Sequence, residues 1–168
     1  MVKIKKSRGC PKRPLKRKCQ IELYIELHKA QKDLPVSAWK MKKAARQLLS
    51  YLQVETDLLI IHAVTQKCIA RLHKRFFDDP TPTDCISLPI DAPEDAATGC
   101  HVLGEIFLCP AMAKIYAKKY GTSTEEEFLR YLIHGVLHLI GYNDMQRKDR
   151  LVMKKKEEDC LSYLKRNQ

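Results

Sequence analysis

At 168 residues, 45% of them hydrophobic, the chain has room for one soluble domain with a proper core. No uncharged apolar run approaches the roughly 18 residues of a membrane span, and the N-terminus lacks the apolar core of a secretory signal, so the expected compartment is the cytoplasm, with no membrane partner. The formal net charge of +11 points to a polyanionic partner, while seven cysteines, an odd number with no Cys-x-x-Cys pair, fit reduced thiols better than a disulfide framework or a cysteine zinc site.

In chain order, residues 1–19 read as a basic, flexible arm ahead of a single domain over 20–168. Lys3, Lys5, Lys6, Arg8, Lys12, Arg13, Lys16, Arg17 and Lys18 precede the first acid, Glu22, and two prolines and a glycine break the run. Such an arm suits nucleic-acid phosphates through counterion release; a solvated tail or a targeting segment is the plainer alternative. Gln20 to Leu27 alternates apolar and polar residues, the period of a strand with one buried face. Val36 to Leu52 carries Met41, Ala45, Leu48 and Leu52 at helical spacing, flanked by Trp39, Ala44 and Leu49, and Trp39 is expected in the core rather than as a base-stacking platform.

Leu58 to Val64 predicts a short strand, and Thr65 caps a helix running to about Phe76, on or beside which Lys67, Arg71, Lys74 and Arg75 form a basic strip. Two prolines exclude helix from Asp78 to Asp84, and Cys85 to Leu88 reads as a strand. Asp91 to Gly99 is expected as a surface loop and Leu103 to Leu108 as a strand, while Pro110 opens a helix that ends before Gly121. Met145 to about Leu164 predicts a final helix with a solvated, charge-dense face over residues 154–159 and with Leu151, Val152, Leu161 and Leu164 packed inward.

The stretch that carries chemistry lies just before that helix. Phe128 to Ile140 is almost uninterrupted apolar sequence, preceded by a capping box from Ser123 with Glu126 or Thr124 with Glu127. On the buried helix this predicts, His134 and His138 lie one turn apart on one face and can reach a single ion. At about 100° per residue, a straight helix would carry Asp144 roughly 80° off that face and about 9 Å beyond His138. Gly141 offers the remedy: a left-handed residue there ends the helix and turns Asp144 back toward the histidines as a third ligand. Two histidines and a carboxylate, with positions left for water, make a catalytic type of shell, for which one zinc ion per chain is the first choice. Two satisfied core histidines and an acid that caps the next helix are the plainer alternative.

The run His134-Gly135-Val136-Leu137-His138-Leu139-Ile140-Gly141-Tyr142 resembles the signature of the YbeY family of metal-dependent endoribonucleases, His-Gly-x-Leu-His-Leu-x-Gly-Tyr-Asp-His, with Asn143 and Asp144 in the last two places. Pro82-Thr83-Asp84-Cys85-Ile86-Ser87-Leu88-Pro89 is similar to the family's Pro-Thr-Asp-Val-Leu-Ser-Phe-Pro, and Leu103-Gly104-Glu105-Ile106 to its Leu-Gly-Asp-Ile. In the family's Leu-Asn-x-x-Tyr-Arg, an arginine thought to act on phosphate falls where this chain has Phe77, two residues after Arg75. The resemblance covers roughly residues 55 to 160. It implies an endoribonuclease specific for single strands, acting in ribosomal RNA maturation and ribosome quality control, with the small ribosomal subunit as partner and no small-molecule cofactor.

The expected architecture is an α+β domain of one mixed sheet, about four strands, packed with helices around a central metal helix. The expected ligands are His134, His138 and Asp144. Arg75, as catalytic cation, and Lys74, with Lys12, Arg13, Lys16, Arg17 and Lys18 of the arm, are the candidate RNA contacts. Two rivals stand beside this reading. A zinc peptidase would need Glu directly after the first histidine, where Gly135 stands, and a noncatalytic RNA-binding or ribosome-assembly protein would hold a structural metal or none.

Overall fold

The structure, a computed structural model, describes the backbone of residues 22–27 and residues 34–92 and 101–167 in full. The arm residues Lys12, Arg13, Lys16, Arg17 and Lys18, and all but the first two residues of the 91–99 loop, lie outside the described residues. Among the described residues nine elements follow in order: β1 (Glu22–Leu27), α1 (Ala38–Tyr51), β2 (Leu58–Ala63), α2 (Gln66–Phe77), β3 (Cys85–Pro89), β4 (Val102–Leu108), α3 (Pro110–Tyr120), α4 (Thr124–Leu139) and α5 (Arg147–Arg166).

The strands form one sheet in the order β1-β2-β4-β3, with β1, β2 and β4 parallel and β3 antiparallel at one edge. Parallel neighbours need crossovers, and α1 supplies the one between β1 and β2. On β2, alternate residues Leu59, Ile61 and Ala63 are buried, so the period-two pattern of the sequence is realised with one face on the core. The fold is therefore the expected α+β domain with a mixed four-stranded sheet.

Helix α4 is the piece on which the others are assembled, packing against α1, α3, α5, β3 and β4. Ser123 caps it, its Oγ accepting from the Glu126 N–H at 3.0 Å, and Glu125, Glu126 and Glu127 place negative charge at the positive end of the helix dipole. The capping box is only half made, because the Glu126 carboxylate turns instead to Arg130 and Lys165. Phe128, Leu132, Ile133, Val136 and Leu137 are buried, as the apolar run requires.

Gly135 lies on the sheet side of α4. A Cβ there would stand 2.7 Å from Ile106 Cγ2 and 3.1 Å from Ser87 Oγ, so the lack of a side chain is what lets α4 settle onto β3 and β4.

Two packing expectations are corrected. Trp39 is 69% exposed, because the buried stripe of α1 is Met41, Ala44, Ala45, Leu48 and Leu49, and a residue two positions before Met41 points about 160° away from it. On α5 the inward residues are Met153, Cys160, Leu161 and Leu164, while Leu151 and Val152 face solvent. The inward positions 153, 160, 161 and 164 recur at helical spacing, and neither 151 nor 152 lies on that stripe.

Among the described residues, Cys68, Cys85, Cys109 and Cys160 are free thiols, and burial pushes the Cys160 thiol up to about 11, so it stays protonated. No described helix is long and apolar enough to cross a membrane.

Candidate metal centre

The end of α4 builds the site. Gly141 takes φ +93°, and the chain closes a Schellman motif in which the Tyr142 N–H donates to the Leu137 carbonyl and the Gly141 N–H to the His138 carbonyl, both at 3.0 Å. This turn does two things. It aims the Tyr142 carbonyl at His138, whose Nδ1–H donates to it at 3.0 Å, and it swings the following residues back so that an Asp144 carboxylate oxygen stands 3.9 Å from His138 Nε2. The helix-ending turn expected at Gly141 is thus present.

The second histidine is set from another helix. His134 Nδ1 lies 2.6 Å from Glu157 Oε1 on α5, a side chain only 18% exposed. The sequence places Glu157 on a solvated charged face, and the structure corrects that. A sequence signal existed, since Glu157 stands four residues after Met153 and four before Leu161, on the buried stripe of α5.

These partners fix the tautomers. A carbonyl and a carboxylate only accept, so both Nδ1 atoms carry protons and, in the neutral rings, both Nε2 atoms present lone pairs. The two Nε2 atoms face each other at 3.0 Å with the ring planes at 88°. Two lone pairs so close repel unless a proton or a metal cation lies against both.

One ligand atom from each of His134, His138 and Asp144 lies within 4.8 Å of the others. Ligands on a tetrahedral ion about 2.1 Å away are about 3.4 Å apart, inside the observed range, so the donor set fits a divalent cation in both chemistry and spacing. Asp144, 41% exposed, keeps the outer side of the cluster accessible to solvent.

Electrostatics favour positive charge here. Burial pulls the His134 imidazole down, but the hydrogen bond and charge of Glu157, with the charges of Asp84 and Asp144, more than reverse this and hold its pKa above the usual 6.5. Asp84, just before β3, is a second acid whose charge acts on His134; it lies in the Pro82-Thr83-Asp84 segment quoted above, but nothing in its spacing ties it to the histidines.

The candidate RNA contacts do not join the cluster in any described bond. Lys67, Arg71, Lys74 and Arg75 are exposed on α2, with Lys74 paired to Asp78 and the Arg75 guanidinium 5.7 Å from the Phe76 ring centroid. Phe76 and Phe77 are exposed beside them. From the C-terminus of α2 the chain runs through 78–84 to Asp84. The peptidase reading falls, because Gly135 faces Ile106 and Ser87 across a gap that admits no glutamate side chain.

A mixed sheet packed on a central helix that bears two imidazoles, with a carboxylate in the turn that follows it, defines a class: α+β proteins with a candidate metal centre at a helix end. A family model described as Endoribonuclease YbeY matches residues 26–165. The chain belongs to this family, whose members are named endoribonucleases, and it is accordingly a hydrolase acting on RNA.

Among its relatives, the Endoribonuclease YbeY of Protochlamydia amoebophila (strain UWE25) is 37% identical over 142 residues, covering 84% of this chain and 93% of that protein. The one of Chlamydia pneumoniae is 36% identical over 150 residues, covering 88% and 94%. The solution structure of TM1509 from Thermotoga maritima matches with a TM-score of 0.58 at 20% identity, covering 85% of this chain and 89% of that one, a likeness of fold alone.

Proposed function

We propose that this chain is a metal-dependent endoribonuclease that cuts single-stranded regions of ribosomal RNA during maturation and quality control of the small ribosomal subunit in the cytoplasm. The carrying observation is the convergence of two lone-pair Nε2 atoms and the Asp144 carboxylate within 4.8 Å, each imidazole oriented by an acceptor on its far nitrogen. His134, His138 and Asp144 would hold one ion, for which zinc suits the nitrogen-rich donor set. A bound divalent ion would supply Lewis-acid activation of water or of a phosphodiester oxygen.

The rest belongs to the chain's own residues. Glu157 and the Tyr142 carbonyl hold both rings in the tautomer that offers Nε2. Arg75 and Lys74 on α2, with Lys12, Arg13, Lys16, Arg17 and Lys18 of the arm, would bind the RNA backbone and offset charge on the phosphate being cut.

The test is to count metal per purified chain and to incubate the protein with a structured ribosomal RNA fragment, with and without chelator. One ion per chain and cleavage abolished by chelator and by His134→Ala/His138→Ala are expected. Cleavage that persists undiminished in the double variant overturns the assignment. Bound metal with no cleavage of any RNA would instead support a noncatalytic RNA-binding protein.

A further inference from the structure

We propose that Phe77, at the exposed end of α2, is the platform on which one unpaired base of the RNA substrate stacks, and that this ring gives the enzyme its preference for single strands. The inference deepens the nuclease reading above and rests on it for the identity of the ligand. Phe77 is 57% exposed and Phe76 45%, whereas the buried anchor of the helix is Ile69. Two large rings left in water at one helix end are costly unless something covers them. Asp78 follows in the left-handed region at φ +60° and ends the helix, so no further turn of α2 shields them. The His73 ring stands 5.4 Å from that of Phe77, tilted by 51°, and is itself pinned by donating from Nδ1 to the Thr81 carbonyl at 2.9 Å. Phe77 is thus backed by a fixed neighbour and open elsewhere.

The charge beside the ring selects a polyanion. Lys67, Arg71 and Lys74 recur at helical spacing and Arg75 adjoins them, so the four cations fall within about 100° of arc, and Phe77 borders them about 60° from Lys74. The helix itself contains no acid. Of the two acids that follow it, Asp78 is taken by Lys74, and Asp79 accepts from the Thr81 N–H at 2.8 Å. Lys67, Arg71 and Arg75 have no acidic partner among the described residues, so their charge is available to phosphates. An acidic peptide would match the charge as well. The chain acts on RNA, however, and an open ring flanked by cations is the pairing by which proteins hold a single strand, base on ring and phosphate on cation. In a duplex the face of each base is covered by its neighbours, so only an unpaired base can lie on Phe77.

A short segment ties the platform to the candidate metal centre. Thr81, bonded to His73, stands three residues before Asp84, whose charge acts on His134, and three residues span at most about 11 Å. A strand stacked on Phe77 is therefore held beside the segment that leads to the histidines.

The test is fluorescence anisotropy of the full-length protein with a labelled single-stranded RNA dodecamer and with the same strand in a duplex, in the cold, each oligonucleotide checked intact on a gel. Phe77→Ala should lose at least about fivefold in affinity for the single strand and nothing for the duplex, while Phe77→Trp keeps the wild-type affinity. Lys67→Ala/Arg71→Ala should weaken both and flatten the salt dependence. A 2-aminopurine walked along the strand should be quenched at one position by the wild type and not by Phe77→Ala, whose unchanged thermal melt shows that it is folded. Equal binding of the single strand by wild type and Phe77→Ala, in a protein that still cleaves it, overturns the platform and leaves the nuclease reading standing. Equal losses for strand and duplex, or competition by polyglutamate as strong as by the strand, overturn it in favour of a general polyanion surface. A wild type that neither binds nor cleaves the strand overturns both readings, and sedimentation showing a dimer that Phe77→Ala dissociates would give the ring to a second copy of this chain instead.

Discussion

His134 shows how a single ring can be committed to one task. The carboxylate of Glu157 at 2.6 Å holds its proton on Nδ1 and its lone pair toward His138, so Glu157 is expected to matter without touching an ion. Glu157→Ala should weaken zinc affinity by roughly 10–100-fold, measured by competition with a chromophoric chelator, and Glu157→Gln, which keeps an acceptor oxygen, should lose less. The proton competes for the same ring. Because its pKa lies above 6.5 in the folded protein, the metal-free fold gains stability from His134 that is fully present below 6.5 and is lost as pH rises through the folded value. Metal binding runs the other way: affinity should fall as pH drops through that raised value, and Glu157→Gln should move the fall to lower pH. Metal titrations at several pH values, with the ring followed by NMR, check both signs. Gly135 is constrained by the space beside it. Gly135→Ala should cost about 1–3 kcal/mol in urea denaturation, since the new methyl must displace Ile106.

Helices α4 and α5 depend on one another, because the ring on the first is oriented by an acid on the second. What holds them in register away from the cluster is a line of charges: Lys165 to Glu126 at 2.7 Å, Glu126 to Arg130 at 3.3 Å and Arg130 to Glu158 at 2.6 Å. The hydrogen bond from Lys165, outweighing the cost of burial, lowers the Glu126 pKa, with Arg130 adding to the effect. A lowered folded value means stability that is present above the unfolded value of 4.5 and lost as pH falls through the folded one. Glu126→Gln should therefore destabilise by about 1 kcal/mol at neutral pH and by less in acid, a convergence that thermal melts at pH 7 and pH 3 would record. Of these helices, α4 was legible in the sequence, since a capping serine, three acids and an unbroken apolar run all say the same thing. The inward face of α5 was not, because Leu151 and Val152 are apolar but off the stripe through Met153, Leu161 and Leu164, and an acid lies on it.

At the scale of the whole molecule, an ion held by α4 and the turn after it would tie folding to ligation. Saturating zinc at about a hundred times its dissociation constant should stabilise the fold by about 2.7 kcal/mol, seen as a rise in Tm that chelator reverses and His134→Ala/His138→Ala abolishes. RNA binding should be governed by the distribution of the +11 charge. Deleting residues 1–19 is expected to flatten the dependence of log affinity on log salt by several units, each lost phosphate contact being worth about 0.7 on a single strand, as read by filter binding across salt concentrations.

What the sequence determined by itself was local: the period of each strand, the caps, the pair of histidines one turn apart, and the glycine that had to end their helix, because each follows from near neighbours along the chain. Only the tertiary structure decided that Glu157 and Asp84 attend His134, that Gly135 is a contact with β4 rather than a mere gap in the motif, and that Trp39 stands outside the core. Those outcomes depend on which face of one element meets which face of another, and residues 23 or 50 positions apart carry no mark of meeting until the sheet and α4 have brought them together.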